Sequence, residues 1–369
     1  MPTTQYTEIL AKIQKINPIN YAKTRNNLDG AVTQLSPFIS RGVISTKQVM
    51  DVLIAKGYRA AQLERILQQL AWRDYFQRVA QTHTELWQTE ITKAQEFVVD
   101  EMIPTAVLDA NTGITAVDMS INNLYQYGTM HNHMRMYVAS IVCNLGQSSW
   151  KNGGKWMYYH LLDADIASNF CSWQWICGAF SSKLYFANQE NINKYSGTED
   201  FGTFLDSDYR KFNDMVIPQE LVEKSAAELV TFLPEKTPVT LDKKLPTIIY
   251  NYYNLDPVWR KDEEANRVLL IEPLHFNKFP ISKANMEFFI ELSKNIPNLQ
   301  VFVGEFDELK KECPSKEFIS KEHPLFSHIS GTKDERDWMF PEVDKMQPSF
   351  FKYWDKIQKT QTYKKIKLK

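Results

Sequence analysis

The stretch 130–175, MHNHMRMYVASIVCNLGQSSWKNGGKWMYYHLLDADIASNFCSWQW, constrains this chain more than any other. It holds four of the nine tryptophans and the close carboxylate pair Asp163 and Asp165. It also holds Asn132, Arg135, Asn169 and the triplet Trp173–Gln174–Trp175. Apolar residues recur at helical spacing through 136–144 and 156–162. Polar groups among such large aromatics are costly to bury unpaired. The run therefore predicts either a helical core that satisfies its own polar groups or a pocket around a flat, polar-edged ligand. Periodicity alone favours the core.

The rest of the chain sets the frame. Its 369 residues are enough for two domains. No apolar run approaches the length of a membrane span. The first residues, MPTTQYTEILAKIQKINPIN, carry no signal-peptide core, so the expected location is the cytoplasm. Four cysteines, Cys143, Cys171, Cys177 and Cys313, show no CxxC pairing, and free thiols are the expectation, with no metal site. Net charge is −1, and residues 1–211 hold 19 Lys+Arg against 19 Asp+Glu. That balance argues against a non-specific nucleic-acid binder but leaves room for a local basic rim.

Along the chain, residues 5–15 read as a short helix, and YAKTRNNLDGAVTQLSPFISRGVIS reads as irregular from its Asn, Asp, Gly, Ser and Pro content. Polar backbone and hydroxyls there are able to hold phosphate or sugar oxygens, or the segment is only a connection. Ser45–Thr46 looks like the N-terminal cap of a helix over 46–56. The clearest helix is 60–81, with Leu63, Ile66, Leu67, Leu70, Ala71 and Phe76 as its apolar stripe. Gln69, Trp72 and Arg73 lie within about a turn of one another on it. They form either a surface for a nucleobase or an ordinary helix boundary. Residues 83–111 are poorly periodic. An amphipathic helix then runs from Thr112–Gly113 to a C-cap at Gly128, and MHNHMRM starts another.

The pattern changes after about 215. TIIYNYY, RVLLIEP and NLQVFVGEF read as strands, and KANMEFFIELSKNI as the helix joining the last two in a βαβ-like unit. The end, PEVDKMQPSFFKYWDKIQKT, reads as helix with the basic tail KKIKLK fraying. The expected fold is mainly α: a helical domain over 1–215, a smaller α/β domain over 240–345 and a helical, basic tail over 346–369. No GxSxG, HExxH, Walker loop or GxGxxG occurs. His131 and His133 read as satisfied partners rather than catalytic bases.

Several separated segments share one resemblance. TGITAVDMSINNLYQYGTMHNHMRM, then Trp150, then HLLDADIASNFCSWQW, with YAKTRNNLDGAVTQLSP and LAWRDYF upstream in the same order, closely resemble the FAD-binding domain of the photolyase/cryptochrome family. The match covers residues 5–190. It implies FAD as cofactor, with Tyr21, Thr33, Leu35 and Ser36 at its phosphates and ribityl chain. Asn132 and Arg135 fall beside the folded cofactor, and Asp163 and Asp165 match the acidic pair near the flavin. Asp163 is then expected to pair with Arg135 and accept from the ring N3–H, while Asn169 faces flavin N5. Trp173 and Trp150 take the proximal and middle places of an electron-hopping chain. No tryptophan occupies the terminal place in 97–107, where Trp156, Tyr158 or Tyr159 are possible substitutes.

The same resemblance implies contacts to UV-damaged DNA. Arg25 falls where the family touches phosphate. Trp72 and Trp175 match aromatics that pack on a flipped-out pyrimidine pair. Asn132 and Met136 match residues that touch a cyclobutane dimer, and Arg73 lies beside Trp72. Gln69 departs from the family pattern. Cyclobutane-dimer photolyases carry Glu at this place, whereas (6-4) photolyases often carry Gln but have a His pair where this chain has Asn132 and Met136. Ala31–Val32 alters the usual phosphate turn before Thr33. The family's α/β antenna domain does not precede the FAD domain, so no antenna chromophore is expected. The resemblance implies blue-light repair of pyrimidine dimers, with a cryptochrome-like photoreceptor and its signalling partner as the alternative. An empty or merely structural pocket is the third reading.

Overall fold

The computed structural model describes residues 2–206 and 216–367. The expected domain limit at 215 and the last two residues of the basic tail lie outside the described residues. In chain order the first helices are α1 (Tyr6–Gln14), α2 (Pro18–Thr24), α3 (Ser36–Ser40), α4 (Thr46–Ala55) and α5 (Ala60–Thr82). Strand β1 (Ile103–Pro104) leads into α6 (Thr105–Leu108), α7 (Thr115–Tyr127) and α8 (Asn132–Ser140). Then come α9 (Trp150–His160), α10 (Ile166–Ile176), α11 (Gln189–Ser196) and β2 (Lys224–Ser225). The next elements are β3 (Thr247–Tyr250), β4 (Asn266–Ile271), α12 (Pro273–Lys278), α13 (Lys283–Ser293) and β5 (Leu299–Val303). The last are α14 (Phe306–Glu312), β6 (Phe318–Lys321), β7 (Thr332–Asp334), α15 (Phe350–Ile357) and α16 (Gln361–Lys367).

These elements form two compact units that are discontinuous in sequence. One comprises Met1–Ala22, Thr33–Thr84 and Val230–Lys369, and the other Lys23–Val32 and Glu85–Leu229. The first unit is built on a parallel sheet of order β5-β4-β3-β6-β7. Its central strands β3 and β4 are buried apolar runs, as parallel strands covered on both faces must be. The order turns back between β3 and β6, the arrangement of a doubly wound sheet. β4, α13 and β5 form the βαβ unit that the sequence patterning implied. β6 and β7 carried no such signal: FISK has only two apolar residues, and TKD has none.

In the same unit α1 and α5 both pack on α4. Ser45 caps α4 by accepting the Gln48 amide at 3.0 Å. On α5 the residues Leu63, Ile66, Leu67 and Ala71 are buried, each leucine or isoleucine worth about 2 kcal/mol. The expected stripe shifts beyond Ala71. Leu70 and Phe76 are only half-buried, while Asp74, Tyr75, Gln77 and Arg78 are buried. The cause is α15, which packs on α5 here, together with the segment before it: the Met339 amide pairs with Asp74 (as does Thr46 of α4), the Gln347 carbonyl with Tyr75 and Arg336 with Gln77. The region expected to be irregular contains α2 and α3, both with a proline in the first turn, where its fixed φ is already helical. The tail is not frayed through Lys367: Tyr363 and Ile366, one turn apart on α16, are both buried.

The second unit is helical, apart from the β1–β2 pair. Its centre is α8, α9 and α10, with α7 against α8 and α11 against α7. Gly128 ends α7 at φ 66°, and a Cβ there would lie 2.6 Å from Leu162 Cγ, so glycine is required twice over. A π-helical turn, Ile141–Leu145, continues α8. No helix among the described residues is long and apolar enough to cross a membrane. No group of His, Cys, Asp or Glu among them is placed to hold a metal ion.

Candidate flavin site

The helical unit gathers much of the 130–175 set. Asp165 is the N-cap of α10, accepting the Ser168 amide at 2.7 Å. That cap fixes where α10 begins, and with it the places of Ser168, Asn169 and Trp173 on the first two turns. Two residues upstream, Asp163 accepts from Nη2 of Arg135 at 3.0 Å on each carboxylate oxygen. Arg135 Nε in turn donates to the Met130 carbonyl at 2.9 Å. The carboxylate is nearly buried, and this charge-assisted contact holds it in place.

Asn169 is 9 % exposed, and its Nδ2 donates to the Gly154 carbonyl at 2.8 Å. With the amide nitrogen so committed, Oδ1 is the atom left to meet a ligand. Trp173 is 1 % exposed, with its six-membered ring edge against Gly153. A Cβ at Gly153 would sit 2.4 Å from that ring. Trp150, one turn before Gly153 on α9, is also buried and donates its indole N–H to Glu90 at 3.4 Å. Phe170 lies edge-on to Trp150 at 6.1 Å and parallel to Tyr158 at 6.3 Å. These rings keep water from the flank of α10. Trp156 donates to Tyr125 Oη at 3.1 Å.

Two buried polar atoms here have no protein partner: Oγ of Ser168 and Nε1 of Trp173. They flank Asn169 on α10. Buried hydroxyls and indole N–H groups are seldom left unpaired in native proteins. Together with Asn169 Oδ1 and the Asp163 carboxylate they make a donor and acceptor set that fits a planar ring with polar edges, such as a flavin. Ser168, Gly153 and Gly154 were not singled out from the sequence. The available signal was the Gly-Gly pair inside the helical run WKNGGKW, because glycine inside a helix marks a packing or functional demand.

The other residues of this unit sit closer to solvent. Asn132 is exposed at the start of α8, with Nδ2 3.8 Å from Sδ of Met136. Arg25 is half-buried, and its carbonyl contacts His131 Nε2 at 3.1 Å. Burial pushes both His131 and His133 down from the usual imidazole range, so both are neutral at pH 7. Trp175 is exposed and leans on Tyr185 at 6.0 Å.

Tyr21, Thr33, Leu35, Ser36, Gln69, Trp72 and Arg73 belong to the sheet-containing unit. Leu35 is buried, Ser36 exposed, and Thr33 Oγ1 accepts the Leu35 amide at 3.4 Å. Tyr21, Gln69, Trp72 and Arg73 are half-buried. Trp72 stacks on Phe350 of α15, ring centroids 3.9 Å apart and planes 11° apart. One face of Trp72 is therefore covered by its own chain. Nothing near Gln69 or Trp72 in sequence announces Phe350.

Residues 66–208 match the family model described as the FAD binding domain of DNA photolyase. The deoxyribodipyrimidine photo-lyase of Agrobacterium fabrum is 28 % identical over 214 residues, covering 54 % of this chain and 45 % of that protein. Cryptochrome DASH of Ostreococcus tauri is 29 % identical over 184 residues, 47 % of this chain and 33 % of that one. The chain thus spans less than half the length of these relatives. Among solved structures, a Synechocystis cryptochrome covers 52 % of this chain and 43 % of its own at 24 % identity, with a TM-score of 0.48. A class III photolyase from Agrobacterium tumefaciens covers 53 % and 42 % at 27 % identity, also with a TM-score of 0.48. Residues 66–208 of this chain thus carry the match to a FAD-binding domain of the DNA photolyase type, and the chain is similar over that region to photolyases and cryptochromes alike.

Proposed function

We propose that this protein is a light-driven DNA repair enzyme that acts on UV-induced pyrimidine dimers, the cyclobutane dimer before the (6-4) product. Bound and reduced, FAD supplies the blue-light-driven electron that opens the dimer. The chain's own residues bind and orient. Asp163, fixed by Arg135, offers an acceptor to a ring N–H. Asn169, locked through Gly154, offers Oδ1 rather than an N–H. Ser168 and Trp173 offer the remaining polar atoms, while Trp150, Phe170 and Tyr158 exclude water. Trp173 and Trp150, both buried, are the proposed proximal and middle members of a stepwise electron supply to the site. Arg25, Asn132, Met136 and Trp175, and separately Gln69, Trp72 and Arg73, are the proposed contacts to damaged DNA. The observation that carries the reading is the pair of unpartnered buried polar atoms, Ser168 Oγ and Trp173 Nε1, flanking Asn169.

A second reading, a FAD photoreceptor without repair activity, is favoured by two observations. Gln69 stands where an acidic side chain is expected for dimer repair, and Trp72 already has one face on Phe350. One experiment separates the two. The purified protein is examined for flavin absorption, reduced, and illuminated with UV-irradiated oligothymidylate. Yellow protein that restores intact thymines supports repair. Yellow protein that leaves both lesion types untouched supports the photoreceptor and its signalling partner. A colourless protein that does not take up added FAD overturns both.

A further inference from the structure

The C-terminal helices are unlike the rest of the chain in charge. From 345 to 367 there are seven lysines and one acidic residue, Asp355, in a protein whose net charge is −1. Folding sorts this segment sharply. Phe350, Tyr353, Trp354 and Ile357 of α15 are buried, as are Tyr363 and Ile366 of α16. Every lysine of the segment is exposed. Lys352 and Lys356 sit at i and i+4 on α15, on the side away from the buried anchors, and Lys359 follows in the turn after the helix. Beside them Phe351 is 72 % exposed, a large apolar ring held out to solvent next to the buried Phe350. Phe350 is the ring stacked on Trp72, which continues along α5 to Gln69 and Arg73. The basic face, the exposed ring and, on the opposite side of α15, the ring that covers Trp72 all belong to one unit.

We propose that the α15–α16 face is a nucleic-acid docking surface that holds the single-stranded or distorted strand next to the damaged bases, with Lys352, Lys356 and Lys359 on phosphates and Phe351 under an unpaired base. A positive stripe with an exposed aromatic in it is the combination that binds single strands without reading sequence: cations follow the backbone and any base stacks on the ring. Charge complementarity selects this occupant. An apolar partner peptide does not need three evenly spaced ammonium groups, and an acidic peptide does not need the exposed ring. The inference rests on the DNA-repair reading and adds to it a surface outside the family-matched residues.

The test measures binding of fluorescein-labelled, UV-irradiated oligothymidylate to the full chain across a salt series. Each phosphate contact on a single strand contributes about 0.7 to the slope of log affinity against log salt. The triple variant Lys352→Gln, Lys356→Gln, Lys359→Gln is expected to bind more weakly, with a slope shallower by about 2. Phe351→Ala is expected to weaken binding about fivefold or more with the slope unchanged. Both variants keep the buried anchors, so flavin absorption and unfolding midpoint stay as in the wild type. Salt-dependent binding by the wild type that neither variant alters overturns the docking surface and leaves the repair reading standing. No binding by the wild type overturns both.

Discussion

Nη2 of Arg135 reaches both carboxylate oxygens of Asp163 at the same 3.0 Å, so one guanidinium nitrogen bridges the acid. Nε is turned to the Met130 carbonyl just before α8. The pair therefore ties the start of α8 to the segment leading into α10, and it is both structural and part of the site.

Arg135→Ala removes that tie and leaves a nearly buried carboxylate without its cation. The protein is expected to lose about 2 kcal/mol of stability, and Asp163→Asn less, because the guanidinium left over is more exposed than the carboxylate and keeps its bond to Met130. Denaturant unfolding of both variants checks the order. Equal losses would show that the buried charge is not what matters.

Gly153→Ala should run against helix propensity. In an exposed helix the change gains about 1 kcal/mol. Here the new methyl would meet the Trp173 ring at 2.4 Å, and overpacking costs about 1–3 kcal/mol instead. Trp173→Phe removes the atoms that clash. The double variant should therefore be more stable than the sum of the two single changes, by about 1 kcal/mol or more in a double-mutant cycle.

Asp74 gives a pH signature. Its side chain is buried, accepts from Thr46 Oγ1 at 2.7 Å and from the Met339 amide at 3.1 Å, and burial pushes its pKa up from 3.8 to about 6. The folded protein thus binds a proton that the unfolded chain releases between these values. The stabilisation is present at low pH and is lost as pH rises through about 6. Asn at 74 has no such proton. Relative to Asp74→Asn, the wild type is expected to lose about 2 kcal/mol between pH 4 and 7.5, measured by urea unfolding at each pH. A flat difference would refute the assignment.

Phe350 tests the stack on Trp72. Phe350→Ala empties a buried site and should cost about 3–5 kcal/mol, whereas Phe350→Leu keeps most of the volume and loses chiefly the ring contact, about 1 kcal/mol. Thermal unfolding of the two variants separates packing from stacking.

What the sequence made legible was local. Ser45 before α4, Gly128 after α7, the stripe Leu63–Ile66–Leu67 and the β4–α13–β5 alternation are all signals that neighbours within a few residues carry, and each element lies where they put it. The 130–175 run announced its polar and aromatic content for the same reason. Partners distant in sequence were not legible. Trp72 on Phe350, Asp74 on the Met339 amide and Trp173 on Gly153 are set by how elements meet, which no spacing encodes. β6 was missed because a strand enclosed in a sheet can be four residues long and end in a charge, as FISK does.

The discontinuous unit has a consequence for how the chain is made. α1, α4 and α5 are complete when Thr84 has been synthesised, but the sheet that shares their unit begins only at Thr247. At about 5–20 residues per second, the side of α5 that meets α15 waits roughly ten seconds or more for Phe350–Ile357 to emerge. During that interval the helical unit, Glu85–Leu229, comes out of the ribosome whole. The order of assembly then departs from the order of synthesis. The middle of the chain is positioned to fold first, and the N-terminal helices depend on its last segment or on a chaperone that covers them until it arrives.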